Sequence, residues 1–351
     1  MTDRPPQRAA ALAQPTRVLL TLAAAGVAAW AISAGRGLLA PLLLGAILVI
    51  VAHPARRPLD RRGLPRWLGT TVVIAIAYAV LIGLAVIVGL ALVQFGHVLT
   101  DYGDELEQSS DQVAVFFGGL GLDGSALRPD ALLPLLLNAG KSLLGLGTAI
   151  FFVLAYVIYL AVDAARFRDI PAEVAAGHAM RIRTFRDFAD GTSRYYLVNS
   201  IFGLIVAVID GLALWALGIP APFAWAVLAF VTNYIPNIGF VIGLIPPVVL
   251  AIVTGGWGLG LLVVAIYCAV NVVLQVLVQP RFVSKTVRLS ITLTFFSVVL
   301  WTVLLGPIGA ILAVPLSLLL RFLLLGAAPD ARLARWLTGD DEHLVQPESP
   351  D

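Results

Sequence analysis

Apolar positions in this chain come in long runs, without the strict alternation of a half-buried strand or the one-sided stripe of a surface helix. A helix needs about 20 apolar residues to cross a hydrocarbon core roughly 30 Å thick. Runs near or above that length predict spans at Val18–Ala34 and Gly37–Ala52, read as a tight pair joined at Gly35-Arg36. Further spans are predicted at Leu68–Phe95, Ser142–Val162, Tyr195–Leu217, Pro222–Val253, Gly258–Val278 and Ile291–Leu325. The pattern predicts an all-α, polytopic integral membrane protein with about six to eight transmembrane helices.

Two runs, Pro222–Val253 and Ile291–Leu325, are too long for one crossing and are interrupted. The first holds Pro236-Asn237-Ile238-Gly239 and then Pro246-Pro247; the second holds Gly306-Pro307-Ile308-Gly309 and then Pro315. Proline removes a backbone donor and glycine weakens a helix, so both segments are predicted to break near the middle. In lipid a break survives only where protein or a water-filled cavity satisfies the freed groups. Paired interrupted segments are the sequence pointer to a transporter's binding site. The plainer reading is a pair of kinked helices that span continuously.

Composition narrows the class. Of 351 residues, 60% are hydrophobic and 13% charged, against roughly 45–50% and about 25% in soluble domains. The single cysteine, Cys268, excludes a disulfide scaffold, and a net charge of +2 excludes a basic nucleic-acid binder. The first run has no convincing small-residue cleavage site and reads as an anchor. Many arginines, only two lysines (Lys141 and Lys285) and heavy Ala and Leu use suggest a GC-rich bacterial genome.

Charge then orients the spans. With residues 1–17 in the cytoplasm, 53–67 lie inside with five arginines, 96–141 outside with seven acids, and 164–194 inside with six arginines. If both broken segments are re-entrant hairpins, the 280–288 loop and the C-terminal tail are cytoplasmic as well. Then 20 of the 23 Lys+Arg lie inside; if both segments span, the number falls to 17. The positive-inside rule favours six crossings plus two hairpins. Residues 96–118 mix acids with Val113, Val115, Phe116 and Phe117, as in a helix resting on the outer surface or a solvated loop. Residues 164–194 read as a cytoplasmic helix with charge pairs, whose basic side meets anionic lipid. The acidic stretch Asp340–Asp351 reads as disordered.

Catalytic chemistry is scarce. Gly140-Lys141-Ser142 ends like a phosphate-binding loop, but Leu135 stands where its first glycine belongs and no strand precedes it. His53, His97, His178 and His343 lack metal-ligand spacing, and no nucleophile with a nearby base emerges. The chain is expected not to be an enzyme and to need no cofactor or metal.

The informative polar residues lie inside the apolar runs. A charge at the centre of a bilayer helix costs about 2.5–3.5 kcal/mol on insertion scales. The one such acid, Asp210, is about four residues, roughly 6 Å, from the middle of its span. Asn199, Gly203 and Asp210 share one helical face, suited either to a protonatable or cation-binding lining or to helix–helix hydrogen bonding. Asn233 and Asn237 flank the first break and could cap a half-helix or bind solute. Asn271, Gln275 and Gln279 recur every four residues as a polar stripe that should face protein or water.

These residues carry a resemblance. Asn233-Tyr234-Ile235-Pro236-Asn237-Ile238-Gly239 with Pro246, and Gln279-Pro280-Arg281 with Gly306-Pro307-Ile308-Gly309 to Pro315, resemble the signature of the autoinducer-2 exporter family, long catalogued as permeases. The resemblance covers nearly the whole chain. It departs at Ser284-Lys285-Thr286-Val287, where members usually have a glycine before the lysine, and at Ser290-Ile291, where many have a proline. Leu274 and Gln275 are uncharged where many carry an acid; if that acid couples transport to an ion, coupling here would either differ or fall to Asp210.

The resemblance implies a multi-pass transporter of the bacterial inner membrane, with both termini cytoplasmic. Its namesakes export autoinducer-2, a small furanone-type quorum-sensing signal; other members resemble sodium/proton antiporters. The expected partners are a small polar solute, a proton or sodium ion and membrane lipid, with no nucleic acid; the family also allows a homo-oligomer. The expected binding residues are Asp210, Asn199, Asn233, Pro236, Asn237, Gly239, Asn271, Gln275, Gly306 and Gly309, around a cavity where the two breaks meet. The alternatives are a sodium/proton antiporter and a non-transporting membrane scaffold.

Overall fold

The computed structural model describes residues 14–102, 129–166, 178–282 and 290–326, and every regular element among them is helical. In chain order these are α1 (Gln14–Ala34), α2 (Arg36–Ala52), α3 (Arg57–Arg61), α4 (Arg66–Asp101), α5 (Pro129–Arg166), α6 (Ala179–Ala216), α7 (Pro222–Thr232), α8 (Ile238–Asn271), α9 (Ile291–Leu305) and α10 (Pro307–Gly326). Among the described residues, five helical segments are long and apolar enough to cross a membrane: Arg36–Arg61, Arg66–Val98, Gly147–Ala165, Ile182–Ala216 and Ile238–Arg281. With the shorter apolar helices beside them, they make this a polytopic membrane protein.

The breaks fall where proline and glycine predict. Helix α7 has 11 residues and α9 has 15, about 16 and 22 Å of helix, too short to cross the core alone. Each is the short limb of a helical hairpin. Gly306 reverses the chain between α9 and α10 at φ 73°, ψ −157°, a conformation that only glycine takes without strain. Gly256, at φ 75°, ψ −176°, breaks α8 in the same way between the two runs expected as separate segments. Ser290 caps α9: its Oγ accepts from the Leu293 N–H at 3.3 Å.

Other boundaries differ from the sequence reading. Gly35 does not fold α1 back on α2. Its φ −87°, ψ 6° is near-helical, and the helical bonds run through it, Gly35 N–H to the Ala31 carbonyl and Leu39 N–H to the Gly35 carbonyl. The chain bends there instead of turning. Helices α4, α5 and α6 have 36, 38 and 38 residues, about 54–57 Å each, so they project beyond the hydrocarbon core. The segment from Ala179 to Arg194, expected as part of a separate cytoplasmic helix, is the first stretch of α6 itself. Gly140-Lys141-Ser142 lies inside α5 with no loop. The acidic interval from residue 103 to 128, the 283–289 part of the 280–288 loop and the Asp340–Asp351 tail lie outside the described residues.

Among the described residues, apolar packing joins the helices in clusters, of which three are the largest. One links α4, α6, α7 and α8 through Ala91, Leu214, Trp225, Leu250 and Val263. A second joins α2 to the α9–α10 hairpin through Ile47, Val298, Leu312 and Leu316. The third joins α2, α4 and α5 through Val49, Val73 and Val157. Outward positions such as Val86, Leu90, Leu204 and Leu212 stay exposed, as lipid-facing surface should.

Backbone groups freed at the breaks are satisfied by neighbours. The Ala224 N–H in the first turn of α7 donates to Gln94 Oε1 of α4 at 2.9 Å, serving one of the orphan donors of a helix start. Pro315 cannot donate to the carbonyl four residues back, that of Ile311. The Tyr196 hydroxyl of α6 donates to that carbonyl at 3.0 Å instead.

Candidate functional site

The face of α6 read from the sequence turns inward. Asn199 and Asp210 are 5% and 2% exposed on a helix whose other faces carry exposed Ile201, Leu204, Ile205 and Leu212. Asn199 is committed to the first break: its Nδ2 donates to the Asn233 carbonyl at 3.2 Å, and Asn233 Nδ2 donates back to the Asn199 carbonyl at 3.0 Å. This reciprocal pair needs Gly203, because a Cβ there would stand 2.6 Å from Asn233 Nδ2. Gln279 Nε2 completes the clamp by donating to Asn199 Oδ1 at 2.7 Å.

The turn beyond Asn233 is strained. Ile238 N–H donates to the Pro236 carbonyl at 2.7 Å, and Asn237 between them sits at φ 63°, ψ −46°. This is a γ-turn of the rare, strained kind. Neither asparagine caps a half-helix with its side chain. Gly239 lies against the Thr232 carbonyl, where a Cβ would collide, so the hairpin closes only with glycine here.

A cavity of about 500 Å³ opens between this turn, α6, the end of α8 and the α9–α10 hairpin. Its polar lining is Asn199, Asn233, Asn237, Asn271, Gln275 and Gln279, with Tyr195 and Thr294; Pro236, Phe240 and Val314 are among the apolar walls. From Val272 to Val278 the helix widens to a π-helix, followed by a 3₁₀ turn at Gln279–Arg281. A polar residue every fourth position drifts round an ordinary α-helix; the wider turn brings Gln275 and Gln279 to the same cavity as Asn271.

Asp210 does not line this cavity. It lines a separate space of about 20 Å³, with Thr232, Asn233, Gly243, Tyr267, Asn271 and Gln275 around it. Asn233, Phe240, Asn271 and Gln275 border both spaces.

Of the ten expected binding residues, Asn199, Asn233, Pro236, Asn237, Asn271 and Gln275 are thus brought to one cavity and Asp210 to the space beside it. Gly239, Gly306 and Gly309 line neither. Gly309 packs against the Trp301 carbonyl as Gly239 does against Thr232, so its role is hairpin closure. The second hairpin reaches the large cavity through Thr294 and Val314 instead. Along the helices these stand about 18 and 12 Å from Gly306, so the second turn is not at the cavity. Gln279, Tyr195, Tyr267 and Thr232 were not among the expected residues. Tyr267 is four positions before Asn271 and extends the polar stripe, a signal hidden by its aromatic ring.

Residues 19–325 match the family described as AI-2E family transporter. The chain belongs to that family. Among similar proteins is the AI-2 transport protein TqsA of Escherichia coli strain K12, 27% identical over 297 residues, covering 82% of this chain and 85% of TqsA. The transport protein YhhT from the same strain, whose name is given only provisionally, is 27% identical over 309 residues, 86% of this chain and 88% of its own. A Haemophilus influenzae relative of similarly provisional name is 26% identical over 341 residues, 93% of this chain and 97% of its own. The match takes in both hairpins and every residue that lines the cavity.

Proposed function

We propose that this AI-2E family transporter moves a small, uncharged, hydroxylated solute, autoinducer-2 first among the candidates, across the bacterial inner membrane. The observation that carries this reading is the cavity lining. Six side-chain amides, a tyrosine and a threonine supply paired donors and acceptors, and among the described residues no charged side chain lines the space. Such a surface fits hydroxyl and carbonyl groups and, among the described residues, offers no opposite charge to a carboxylate or an ammonium. A volume near 500 Å³ falls in the range of about 300–1,000 Å³ usual for small-molecule sites. The printed name of TqsA supports autoinducer-2, and the arginine distribution supports cytoplasmic termini.

Coupling to an ion or proton is assigned to Asp210, the acid beside the cavity. The strained Asn237 turn supports an arrangement poised to change shape during transport. Sodium/proton exchange without an organic solute is the second reading, favoured by the separation of the Asp210 space from the amide-lined one.

The test is solute release from proteoliposomes. Vesicles holding the purified protein and loaded with autoinducer-2 should release it faster than empty-membrane controls, and the double variant Asn271→Leu/Gln275→Leu should return release to the control rate. A charged solute of similar size should stay inside. Equal release with and without protein would overturn the reading.

A further inference from the structure

Three buried oxygens face the small space beside the solute cavity without any hydrogen-bond partner: Asp210 Oδ1, Asn233 Oδ1 and Tyr267 Oη. Asp210 and Tyr267 are 2% and 3% exposed. A buried polar group without a partner costs about 1–3 kcal/mol, so three around one space call for a common occupant. The orientation of the Asn233 amide is fixed, because its Nδ2 donates to the Asn199 carbonyl at 3.0 Å and its oxygen must point the other way. Thr232 Oγ1 also lines the space; it donates to the Leu228 carbonyl at 2.8 Å, which leaves its lone pairs open.

We infer that Asp210, Asn233, Tyr267 and Thr232 form a binding site for one small monovalent cation, with sodium as the fitting species. The donor set is all oxygen, the choice of hard cations. It carries a single carboxylate, and among the described residues Asp210 makes no ion pair. A buried charge must be compensated: one positive charge balances it, whereas a divalent ion would leave a net charge in the membrane. A proton on Asp210 would neutralise the acid, but the three oxygens make no hydrogen bond with one another, and a cation among them would serve all three. The space of about 20 Å³ exceeds the ~10–15 Å³ needed to hold one water-sized particle. Gly243 keeps it open, since a Cβ there would stand 2.9 Å from Thr232 Oγ1.

The inference deepens the proposed function by naming the coupling partner, and it rests on Asp210 as the coupling residue. Asn233 contributes its backbone carbonyl and Nδ2 to the Asn199 clamp and its Oδ1 to the cation, and it lines both spaces. Cation and solute would thereby sense each other through one residue.

The test is binding of ²²Na⁺ to the purified full-length protein, competed with unlabelled Na⁺, Li⁺, K⁺ and choline. Saturable binding is expected, with Na⁺ competing at least tenfold better than K⁺ and choline not at all. Asp210→Asn and Gly243→Ala should each weaken binding at least tenfold, and Tyr267→Phe should weaken it less. The Gly243 variant removes no ligand and fills only the small space, and Tyr267→Phe keeps the packing, so misfolding of one variant leaves the others decisive. Wild-type protein that binds no ²²Na⁺ above the choline background, or binding that survives all three substitutions, would overturn the site and leave it to water or a proton. Autoinducer-2 release from the same preparation separates the two proposals. Release without ²²Na⁺ binding keeps the solute and removes the cation; binding without release keeps the cation and removes the solute.

Discussion

Tyr196 shows how a single side chain makes a helix break tolerable. Its hydroxyl serves the Ile311 carbonyl, which Pro315 leaves without its helical donor. Tyr196→Phe should therefore lower stability by about 1 kcal/mol, read as a drop in the thermal unfolding midpoint in detergent. Adding Pro315→Ala should recover much of the loss, since residue 315 then supplies its own N–H to Ile311. Additive effects in this double-mutant cycle would refute the assignment. Asn237 is the opposite case, a residue held in an unfavourable conformation at the wall of the cavity. Neither fact is readable from the residue type alone: a tyrosine in an apolar run looks like core, and an asparagine beside proline looks like a cap.

At the scale of elements, the two hairpins are closed by the same device and used differently. Gly239 and Gly309 each lie against a carbonyl of the preceding helix, that of Thr232 in one and Trp301 in the other. Only the first turn reaches the cavity; the second contributes residues from along its limbs. The first hairpin is also held from outside, since α7 begins on the Gln94 side chain of α4. Gln94→Leu should cost about 0.5–2 kcal/mol, the usual range for a lost N-cap, and should raise hydrogen exchange at Phe223 and Ala224. Unchanged exchange there would show that the bond is not made in solution. The contact between α6 and α7 depends on small residues, with Gly203 against Asn233 and Gly211 against Ala226, the close approach that drives helix association in lipid.

At the scale of the whole molecule, apolar contact between helices and outward-facing apolar side chains dominate the described residues, with ion pairs beside them. One such pair ties the start of α3 to the projecting start of α6, where Arg57 Nη2 donates to Asp190 Oδ1 at 2.5 Å; both side chains are more than half exposed. Exposed pairs are worth about 0–1 kcal/mol because water and salt screen them. Arg57→Ala should shift the unfolding midpoint little, and the small shift should vanish in high salt. Arg56 beside it behaves differently: it is 3% exposed, bonded to Asp60, and packed where Gly69 leaves no room for a Cβ. Replacing Gly69 with a larger residue would displace that buried side chain, whereas the Arg57 pair can be lost.

The sequence by itself determined the solvent and the class. Long apolar runs commit the chain to a bilayer, because each backbone group must then be paired within helices. The Pro/Gly pairs at 236–239 and 306–309 fix where those helices break, since ring closure and a missing Cβ act locally. The inward face of Asn199, Gly203 and Asp210 was equally legible, because helical periodicity and the cost of a buried acid are both local facts. Tertiary structure decided what these pieces do together. It bent the chain at Gly35 instead of reversing it, and it split the polar residues into an amide-lined space and a smaller one around Asp210. It also brought Tyr267 and Thr232 to that acid and kept Gly306 away from the solute cavity. These outcomes depend on which helix packs against which, and residues about 60 positions apart carry no local signal of such meetings.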